Sequence, residues 1–272
     1  MALLTSRRRS NPEGRMPLRE HLHEFRQRLI KCAVAIAIGG VIGWFVAKPV
    51  LNALLEPLRE AAKEHNKDIA ANFSALTSAF SQRIRIAIYI GVVLASPVWI
   101  YQLWAFIVPG LTRREKRYAV GFVAVAVPLF LAGIGLAWFV LPNAVKFLTG
   151  FLVPGSTAFI DADSYLTFVT RLMLAFGIAM IIPLLLVALN MAGLVRARTL
   201  LRGWRIAVFL TFLFAAIASP TPDATSMLAL AFPMVGLYMA AVGVAMMVDR
   251  RRARRLAADP IASLADDEAS PL

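Results

Sequence analysis

The sequence predicts an all-α integral membrane protein, with six transmembrane helices in a curved arrangement and both termini in the cytoplasm. Three observations support this fold class. Of the 272 residues, 59% are hydrophobic and only 17% are charged, whereas soluble domains average roughly 45–50% and 25%. Six long stretches of the chain are nearly free of charged residues. Most of the basic residues between those stretches fall on one side of the membrane when six spans are drawn.

Each apolar stretch is long enough, or nearly so, to cross a bilayer as a helix. A hydrocarbon core about 30 Å thick requires about 20 helical residues, and backbone amides within lipid must be paired inside the helix. The predicted spans are 29–48, 85–108, 118–141, 166–192, 205–219 and 224–248. The fifth is the shortest, and its charge-free part, 206–219, gives about 21 Å of helix. We therefore expect that the bilayer thins there, or that this hairpin ends below the outer surface.

The distribution of Lys and Arg predicts the orientation. With six spans, 21 of the 29 basic residues lie on one side, in the segments 1–31, 112–117, 196–205 and 249–272. Because basic loops stay in the cytoplasm, both termini are predicted there. Five or seven spans would divide the basic clusters between the two sides, so six is the preferred count.

The predicted domain organisation follows from these spans. A membrane domain, 17–248, lies between a basic cytoplasmic tail, 1–16, and a second tail, 249–272. The second tail is basic and then acidic, with the polar composition of disordered segments. On the outer side, residues 51–64 have the pattern of a short amphipathic helix, which would lie on the surface or pack on neighbouring helix ends.

Prolines inside the apolar stretches predict the curvature. A proline in the interior of a helix removes one backbone hydrogen bond and bends the helix. Four such bends favour a curved wall of helices over a straight bundle. The prolines are Pro97, Pro128, Pro183 and Pro233.

The composition excludes several classes of function. The formal net charge is +13, but the basic residues form short clusters between spans rather than the continuous basic surface of a nucleic-acid-binding protein. Cys32 is the one cysteine, so neither an internal disulfide nor a zinc site built on cysteines is expected. The sequence contains no phosphate-binding loop, zinc-protease motif or nucleophile elbow. We therefore predict no enzyme activity, no metal and no cofactor.

A small-solute secondary transporter is the alternative function. Such transporters carry ionisable residues near the middle of the membrane and are commonly built from internal repeats. Most acidic residues of this chain lie outside the spans, and no segment recurs. Arg171, at the outer end of the fourth span, is expected to extend to the membrane surface.

Four blocks of sequence form a recognisable series. Residues 20–29 read EHLHEFRQRL, and 96–111 read SPVWIYQLWAFIVPGL, with Glu115 shortly after. Residues 175–183 read AFGIAMIIP, and 219–223 read SPTPD. In composition and order these blocks resemble the TatC family, the multi-span receptor and core subunit of the twin-arginine protein translocase. The corresponding family patterns are EHLxELRxRL, SPxxxYQxWxFxxPxL, AFGxxFExP and a TPPD turn.

The resemblance implies a glove-like fold of six spans and a role in exporting folded proteins. A member of this family would bind the twin-arginine signal peptides of folded precursors at its cytoplasmic face. It would act with single-span subunits of the TatA and TatB type, associate with itself and use the proton-motive force. It would reside in the bacterial cytoplasmic (inner) membrane.

For signal-peptide binding, the resemblance implies Glu24 and Glu115, with Arg26 as the basic residue that follows the first glutamate. A carboxylate can accept the forked donors of an arginine bidentately, so two carboxylates suit a pair of arginines. Two local pairings compete with this role. Glu24 can pair with Arg28 four residues later, and Glu115 can pair with the basic residues around it.

Other positions match family residues with supporting roles. The resemblance implies structural or assembly roles for Pro57, Pro97, Phe106, Pro109 and Asp223. It also implies a weaker docking surface for the single-span partners at Ser219, Thr221, Thr225 and Ser226. The chain departs from the family pattern where polar residues are common, so its membrane-embedded surfaces are expected to be more apolar. These departures are Ile181, Met227 and Met239.

Overall fold

The computed structural model describes residues 18–64, 69–72, 77–107, 113–150, 158–191, 193, 195–218 and 224–257. Within them the helices are α1 (Leu18–Glu64), α2 (Ser78–Leu94), α3 (Ser96–Ile107), α4 (Arg113–Gly150), α5 (Ala162–Met191), α6 (Ala197–Arg202), α7 (Trp204–Ala218) and α8 (Ala224–Ala257). The strands are β1 (Ile69–Asn72) and β2 (Ala158–Asp161).

Four of the described helices, α1, α4, α5 and α8, are long and apolar enough to cross a membrane. The consecutive helices α2 and α3 form a fifth candidate span, which is bent by 59° where they meet. The apolar helix α7 is shorter, with 15 residues, or about 22 Å of helix. Each predicted span falls on one of these helices or on the bent pair. The protein is therefore a helical membrane protein.

The bend between α2 and α3 lies at Ala95, two residues before Pro97. Proline has no backbone N–H, so the series of backbone hydrogen bonds in α2 cannot continue through Pro97. The N–H of Ala95 donates to Gly91 O at 2.9 Å and closes α2. The N–H groups of Val98 and Trp99 then donate to Ala95 O, at 2.9 and 3.1 Å, and open α3. The other three prolines that the sequence predicts as bends lie inside single helices, α4, α5 and α8.

Glycines bring two pairs of helices into backbone contact. A Cβ atom added to Gly91 of α2 would lie 2.6 Å from the backbone N of Gly40 in α1. A Cβ atom added to Gly133 of α4 would lie 2.5 Å from the backbone O of Phe176 in α5. Helices in lipid gain little from hydrophobic burial, so small residues that permit close approach stabilise their association. The α1–α2 and α4–α5 pairs are accordingly the most closely packed parts of the described structure.

Both ends of the described chain lie at the same end of the helix assembly. The start of α1 contacts the end of α3, the end of α3 contacts the end of α5, and the end of α5 contacts the end of α8. The contacts are His21–Phe106, Trp104–Ala188 and Asn190–Asp249. We call this the arginine-rich end, and it comprises residues 18–31, 113–117, 196–205 and 249–257.

The opposite end contains the two strands, which the sequence did not predict. They pair in parallel, with Ile69 opposite Ala158. Each strand has four residues, too few for a clear alternating pattern, and their pairing joins segments far apart in the chain. Nearby, the Tyr165 hydroxyl of α5 donates to the backbone O of Leu54 in α1 at 3.0 Å.

The outer helix predicted at 51–64 is not separate, because it continues α1. The Lys48–Pro49 pair that ends the predicted first span does not end the helix, and Pro49 and Pro57 both lie inside it. Leu54, Leu58 and Ala61 recur at helical spacing and are buried in the main apolar core. Burial of this face stabilises the continuous helix.

Candidate functional site

The first turns of α1 dock on the end of α3 through aromatic rings. His21 and Phe25 lie one helical turn apart, so both can face the same partner. The Phe106 ring of α3 stacks on His21 with centroids 4.6 Å apart and an interplanar angle of 19°. It also lies 5.3 Å from the Phe25 ring at an angle of 54°. Phe106 therefore holds the start of α1 against α3.

Polar contacts continue along the same part of α1. Arg28 donates to Glu24 Oε1 twice, from Nε at 3.0 Å and from Nη2 at 2.5 Å. Its Nη1 atom donates to Gln102 Oε1 on α3 at 3.1 Å. The Glu24 and Arg28 side chains keep 25% and 21% of their surface exposed. The local ion pair that the sequence left as an alternative is therefore present, and α3 holds its arginine in place.

The ion pair occupies only one oxygen of Glu24. Both guanidinium donors reach Oε1, and within the described residues no hydrogen bond reaches Oε2. A carboxylate offers about four lone-pair sites, so Glu24 can accept further donors. Arg26 is exposed, and two residues along a helix turn the side chain by about 200°. Arg26 therefore extends from a different side of α1 than Glu24.

Glu115 lies in the first turn of α4, and its side chain lies outside the described part of the structure. The helix α3 ends at Ile107 and α4 begins six residues later, so the two helix ends are at most about 20 Å apart. Trp104 of α3 stacks on Phe122 of α4 with centroids 4.8 Å apart. Glu115 precedes Phe122 by about two helical turns. The packing therefore brings Glu24 and the backbone of Glu115 to the same end of the protein.

Comparison with known proteins identifies the family. A family model described as "Sec-independent protein translocase protein (TatC)" matches residues 20–233. The chain belongs to the TatC family. Among its relatives, the TatC protein of Xylanimonas cellulosilytica is 53% identical over 243 residues, which cover 89% of this chain and 88% of the relative. TatC of Aquifex aeolicus is 34% identical over 240 residues, covering 87% and 98%.

Solved TatC structures have the same fold. A crystal structure of the twin-arginine translocase receptor TatC aligns with a TM-score of 0.66 and 31% identity, over 84% of this chain and 99% of that chain. A second, in DDM, aligns with a TM-score of 0.66 and 33% identity, over 83% and 99%. The family resemblance predicted from four sequence blocks is confirmed. This TatC chain is a membrane-embedded component of the Sec-independent protein translocase.

The remaining TatC-like positions divide between described and undescribed parts. Pro57 is buried within α1, and Pro97 lies at the bend between α2 and α3. The positions outside the described residues are Pro109, Ser219, Thr221 and Asp223. Thr225 and Ser226 lie in the first turn of α8, but their side chains are not described. The predicted docking surface for single-span partners therefore stays a prediction.

The three departures from the TatC pattern occupy different environments. Ile181 is 8% exposed and belongs to an apolar cluster with Ile100 and Phe130. A carboxylate at that position would be desolvated among apolar side chains, so the isoleucine suits its surroundings. Met227 packs half-buried against the main core, whereas Met239 is 41% exposed.

Sequence reasoning missed a second polar cluster, at the end opposite the arginine-rich end. Asp163 at the start of α5 forms an ion pair with Arg85 of α2, with 3.3 Å between Oδ2 and Nη1. Its Oδ1 atom accepts a hydrogen bond from the fully buried Gln82. A signal was available, because opposite charges occur near the outer ends of two spans that the sequence places on the same side. The network ties α2 to α5 where both helices begin.

Proposed function

We propose that this TatC chain is the signal-peptide receptor of its translocase. It binds the twin-arginine signal peptides of folded precursors at the arginine-rich end. It exports those precursors with single-span subunits of the TatA and TatB type, using the proton-motive force, and it associates with itself. The family relationship supports these partners.

The same proposal places the chain in the bacterial inner membrane with six spans and both termini in the cytoplasm. The four long helices, the bent pair and α7 supply the six spans. The placement of 21 of the 29 Lys and Arg residues in the segments at or beside the arginine-rich end supports a cytoplasmic position for that end.

One observation supports the receptor role, namely that no hydrogen bond from the described residues reaches Oε2 of Glu24. A guanidinium from a signal peptide can donate to Oε2 while Arg28 keeps Oε1. Charge-assisted bonds of this kind are shorter and stronger than neutral ones. Because Gln102 anchors Arg28, the carboxylate is already oriented, and binding costs less side-chain entropy than it would for a free glutamate.

Glu115 supplies the second carboxylate in this proposal. A twin-arginine signal presents two adjacent guanidinium groups, and Glu24 and Glu115 on different helices bind one each. A carboxylate accepts the forked, planar donors of a guanidinium in a bidentate geometry that the ammonium of lysine cannot match. This difference favours arginine over lysine at both glutamates.

The proposal is tested by measuring the binding of a twin-arginine peptide to the full chain in lipid nanodiscs. We expect Glu24→Gln and Glu115→Gln each to weaken binding by about 5- to 50-fold, after discounting for partial exposure. A twin-lysine peptide should bind the unaltered protein about 5- to 50-fold more weakly than the twin-arginine peptide does. Glu20→Gln is the matched control, because Glu20 lies one turn before Glu24 on α1 and is exposed.

Export in cells gives the second readout. A strain that carries the Glu24→Gln, Glu115→Gln double variant should accumulate twin-arginine precursors in the cytoplasm, although the variant protein is present in the membrane in normal amounts. Wild-type peptide affinity together with normal export in the double variant would show that these glutamates are not the receptor residues.

A further inference from the structure

A cleft of about 610 Å³ opens between α2 and α5, at the end opposite the arginine-rich end. Arg85 contributes from α2, and one face of α5 supplies the rest of the wall. Residues Asp163, Thr167, Arg171 and Ala175 follow one another along this face at intervals of four. Side chains at this spacing lie above one another on a helix. The wall therefore has a defined order, from polar at the helix start to apolar deeper in the membrane.

The cleft carries a surplus of positive charge. Arg85 is paired, since it contacts Asp163 at 3.3 Å and donates to the Thr167 hydroxyl. Asp163 also accepts a hydrogen bond from Gln82. Arg171 is exposed in the cleft, and within the described residues it makes no ion pair or hydrogen bond. The cleft thus contains two guanidinium groups and one carboxylate, and that carboxylate is already engaged by Arg85 and Gln82.

The depth of Arg171 along α5 makes the surplus of positive charge in the cleft energetically costly. Arg171 follows Asp163 by eight residues, or about 12 Å along the helix axis. It lies within α5, the most buried of the four long apolar helices, whose candidate span begins at Ala162. A guanidinium at this depth is costly unless it has an anionic or water partner. Because Arg171 lines the cleft, a side chain that extends towards the membrane surface keeps its guanidinium inside the cleft.

We propose that this cleft binds the phosphodiester group of an anionic phospholipid. The phosphate lies against the guanidinium of Arg171, with Arg85 as a second, shared donor. The headgroup reaches the polar wall near Asp163 and Thr167. An acyl chain follows Leu172 and Ala175 towards the membrane centre.

The order of side chains favours a lipid over a free anion. Inorganic phosphate would use the two arginines but would leave the apolar half of the cleft unfilled. A phospholipid presents a polar headgroup, an anionic phosphate and a hydrocarbon chain in that order. The wall of α5 presents polar, cationic and apolar side chains in the matching order. The volume also lies in the range of about 300–1,000 Å³ that is usual for small-molecule sites.

The experiment measures the binding of three probes to the full chain in detergent. The probes are short-chain phosphatidylglycerol, short-chain phosphatidylcholine and inorganic phosphate. We expect phosphatidylglycerol to bind at least about tenfold more tightly than either of the others. Arg171→Gln should remove about tenfold or more of the phosphatidylglycerol affinity. It should remove less of the phosphatidylcholine affinity, because phosphatidylcholine carries the same phosphodiester together with a choline cation that the second arginine of the cleft repels. Arg171→Lys should have an intermediate effect, because lysine keeps the charge but loses the forked donors.

Arg83→Gln is the matched control. Arg83 lies on α2 at the same end of the protein, outside the cleft, with its guanidinium 4.3 Å from the centroid of the Trp44 ring. Its replacement removes the same charge and should leave phosphatidylglycerol binding unchanged. Equal losses in the Arg83 and Arg171 variants would show attraction to general surface charge and would overturn the proposal.

A second measurement needs no variant. Phosphatidylglycerol should raise the thermal unfolding midpoint of the unaltered protein more than phosphatidylcholine does at equal concentration, because a ligand that binds only the folded state stabilises it. Equal midpoints with the two lipids would contradict the proposal. Inorganic phosphate that displaces the lipid at matching concentrations would show a site for free anions instead.

Discussion

Asp249 of α8 caps the start of another helix, since its Oδ2 atom accepts a hydrogen bond from the backbone N–H of Ala197 in α6 at 2.8 Å. The residue before α6, Arg196, provides no side-chain cap of its own. The other oxygen of Asp249 accepts from Asn190 Nδ2 of α5 at 3.1 Å. Asn190 also donates to the backbone O of Val195 at 2.8 Å. One carboxylate therefore joins α5, α6 and α8 at the arginine-rich end.

The first prediction concerns this cap. Asp249→Ala removes the acceptor for two donors, which should destabilise the start of α6 by about 1–2 kcal/mol. Local opening of α6 should then be about 5- to 30-fold more populated. Brief trypsin treatment of the protein in nanodiscs measures this opening, because α6 contains Arg198 and Arg202 as cleavage points and cleavage follows the open population.

The controls for the cap use neighbouring residues. Arg250→Ala changes an exposed side chain on the same turn of α8 and should leave cleavage within α6 unchanged. Asp249→Asn keeps one acceptor and should give an intermediate rate. Wild-type cleavage of the Asp249→Ala protein would mean that the cap contributes nothing measurable to the stability of α6.

The second prediction concerns the contact between α1 and α2. Gly91→Ala would place a Cβ atom 2.6 Å from the backbone O of Ile36 and equally close to the backbone N of Gly40. Backbone atoms cannot move aside as a side-chain end can, so the two helices must separate. We expect a loss of about 1–3 kcal/mol in the free energy of unfolding, seen as a lower thermal midpoint in detergent.

Gly121→Ala distinguishes crowding from the general effect of alanine. Gly121 lies in α4, and a Cβ atom added there would meet no atom within 4 Å. Alanine in place of a mid-helix glycine is usually favourable by roughly 0.5–1 kcal/mol. The two substitutions should therefore have opposite signs, and similar midpoints for both variants would contradict the inferred close approach.

Much of the fold could be predicted from the sequence because hydropathy is a local signal. The apolar stretches and the break at Pro97 are both visible within short windows. The course of α1 beyond Lys48 could not be predicted in this way, because helix 51–64 is stabilised by burial against distant segments. The pairing of Ile69 with Ala158 escaped prediction for the same reason.

The candidate site was predictable only in part. The pairing of Glu24 with Arg28 follows from their spacing on one helix and was named as an alternative. The contact of Arg28 with Gln102 joins residues 74 positions apart, so it depends on how α1 packs against α3. The cap by Asp249 and the cleft at Arg171 likewise arise from tertiary packing, which composition and spacing do not reveal.

The third prediction concerns the aromatic dock of α1. Phe106→Ala removes the ring that contacts His21 and Phe25 but leaves the Glu24 carboxylate intact. Each aromatic pair contributes roughly 0.5–1.5 kcal/mol beyond its burial, so the first turns of α1 should loosen. We expect twin-arginine peptide affinity to fall by about 2- to 12-fold.

Phe106→Tyr keeps the ring and is the control for this prediction. It should retain peptide affinity close to that of the unaltered protein. Trypsin cleavage after Arg19 and Arg26 should accelerate in Phe106→Ala and not in Phe106→Tyr, which ties the loss of affinity to the docking of α1. A normal cleavage rate combined with lost affinity would instead point to a direct contact between Phe106 and the peptide.

The fourth prediction concerns orientation in the membrane. The proposed topology places α6 in the cytoplasm and the end of α4 outside. Leu201 is 47% exposed, which makes Leu201→Cys a better reporter than the buried neighbour Leu200. Asn143 is also exposed and lies beyond the predicted end of the third span.

In a background with Cys32→Ala, an impermeant maleimide added to intact spheroplasts should label Asn143→Cys and spare Leu201→Cys. Inverted vesicles should give the reverse pattern, since their cytoplasmic face is outermost. Labelling of Leu201→Cys in intact spheroplasts would reverse the orientation and would move Glu24 and Glu115 to the side of the membrane where no precursor arrives.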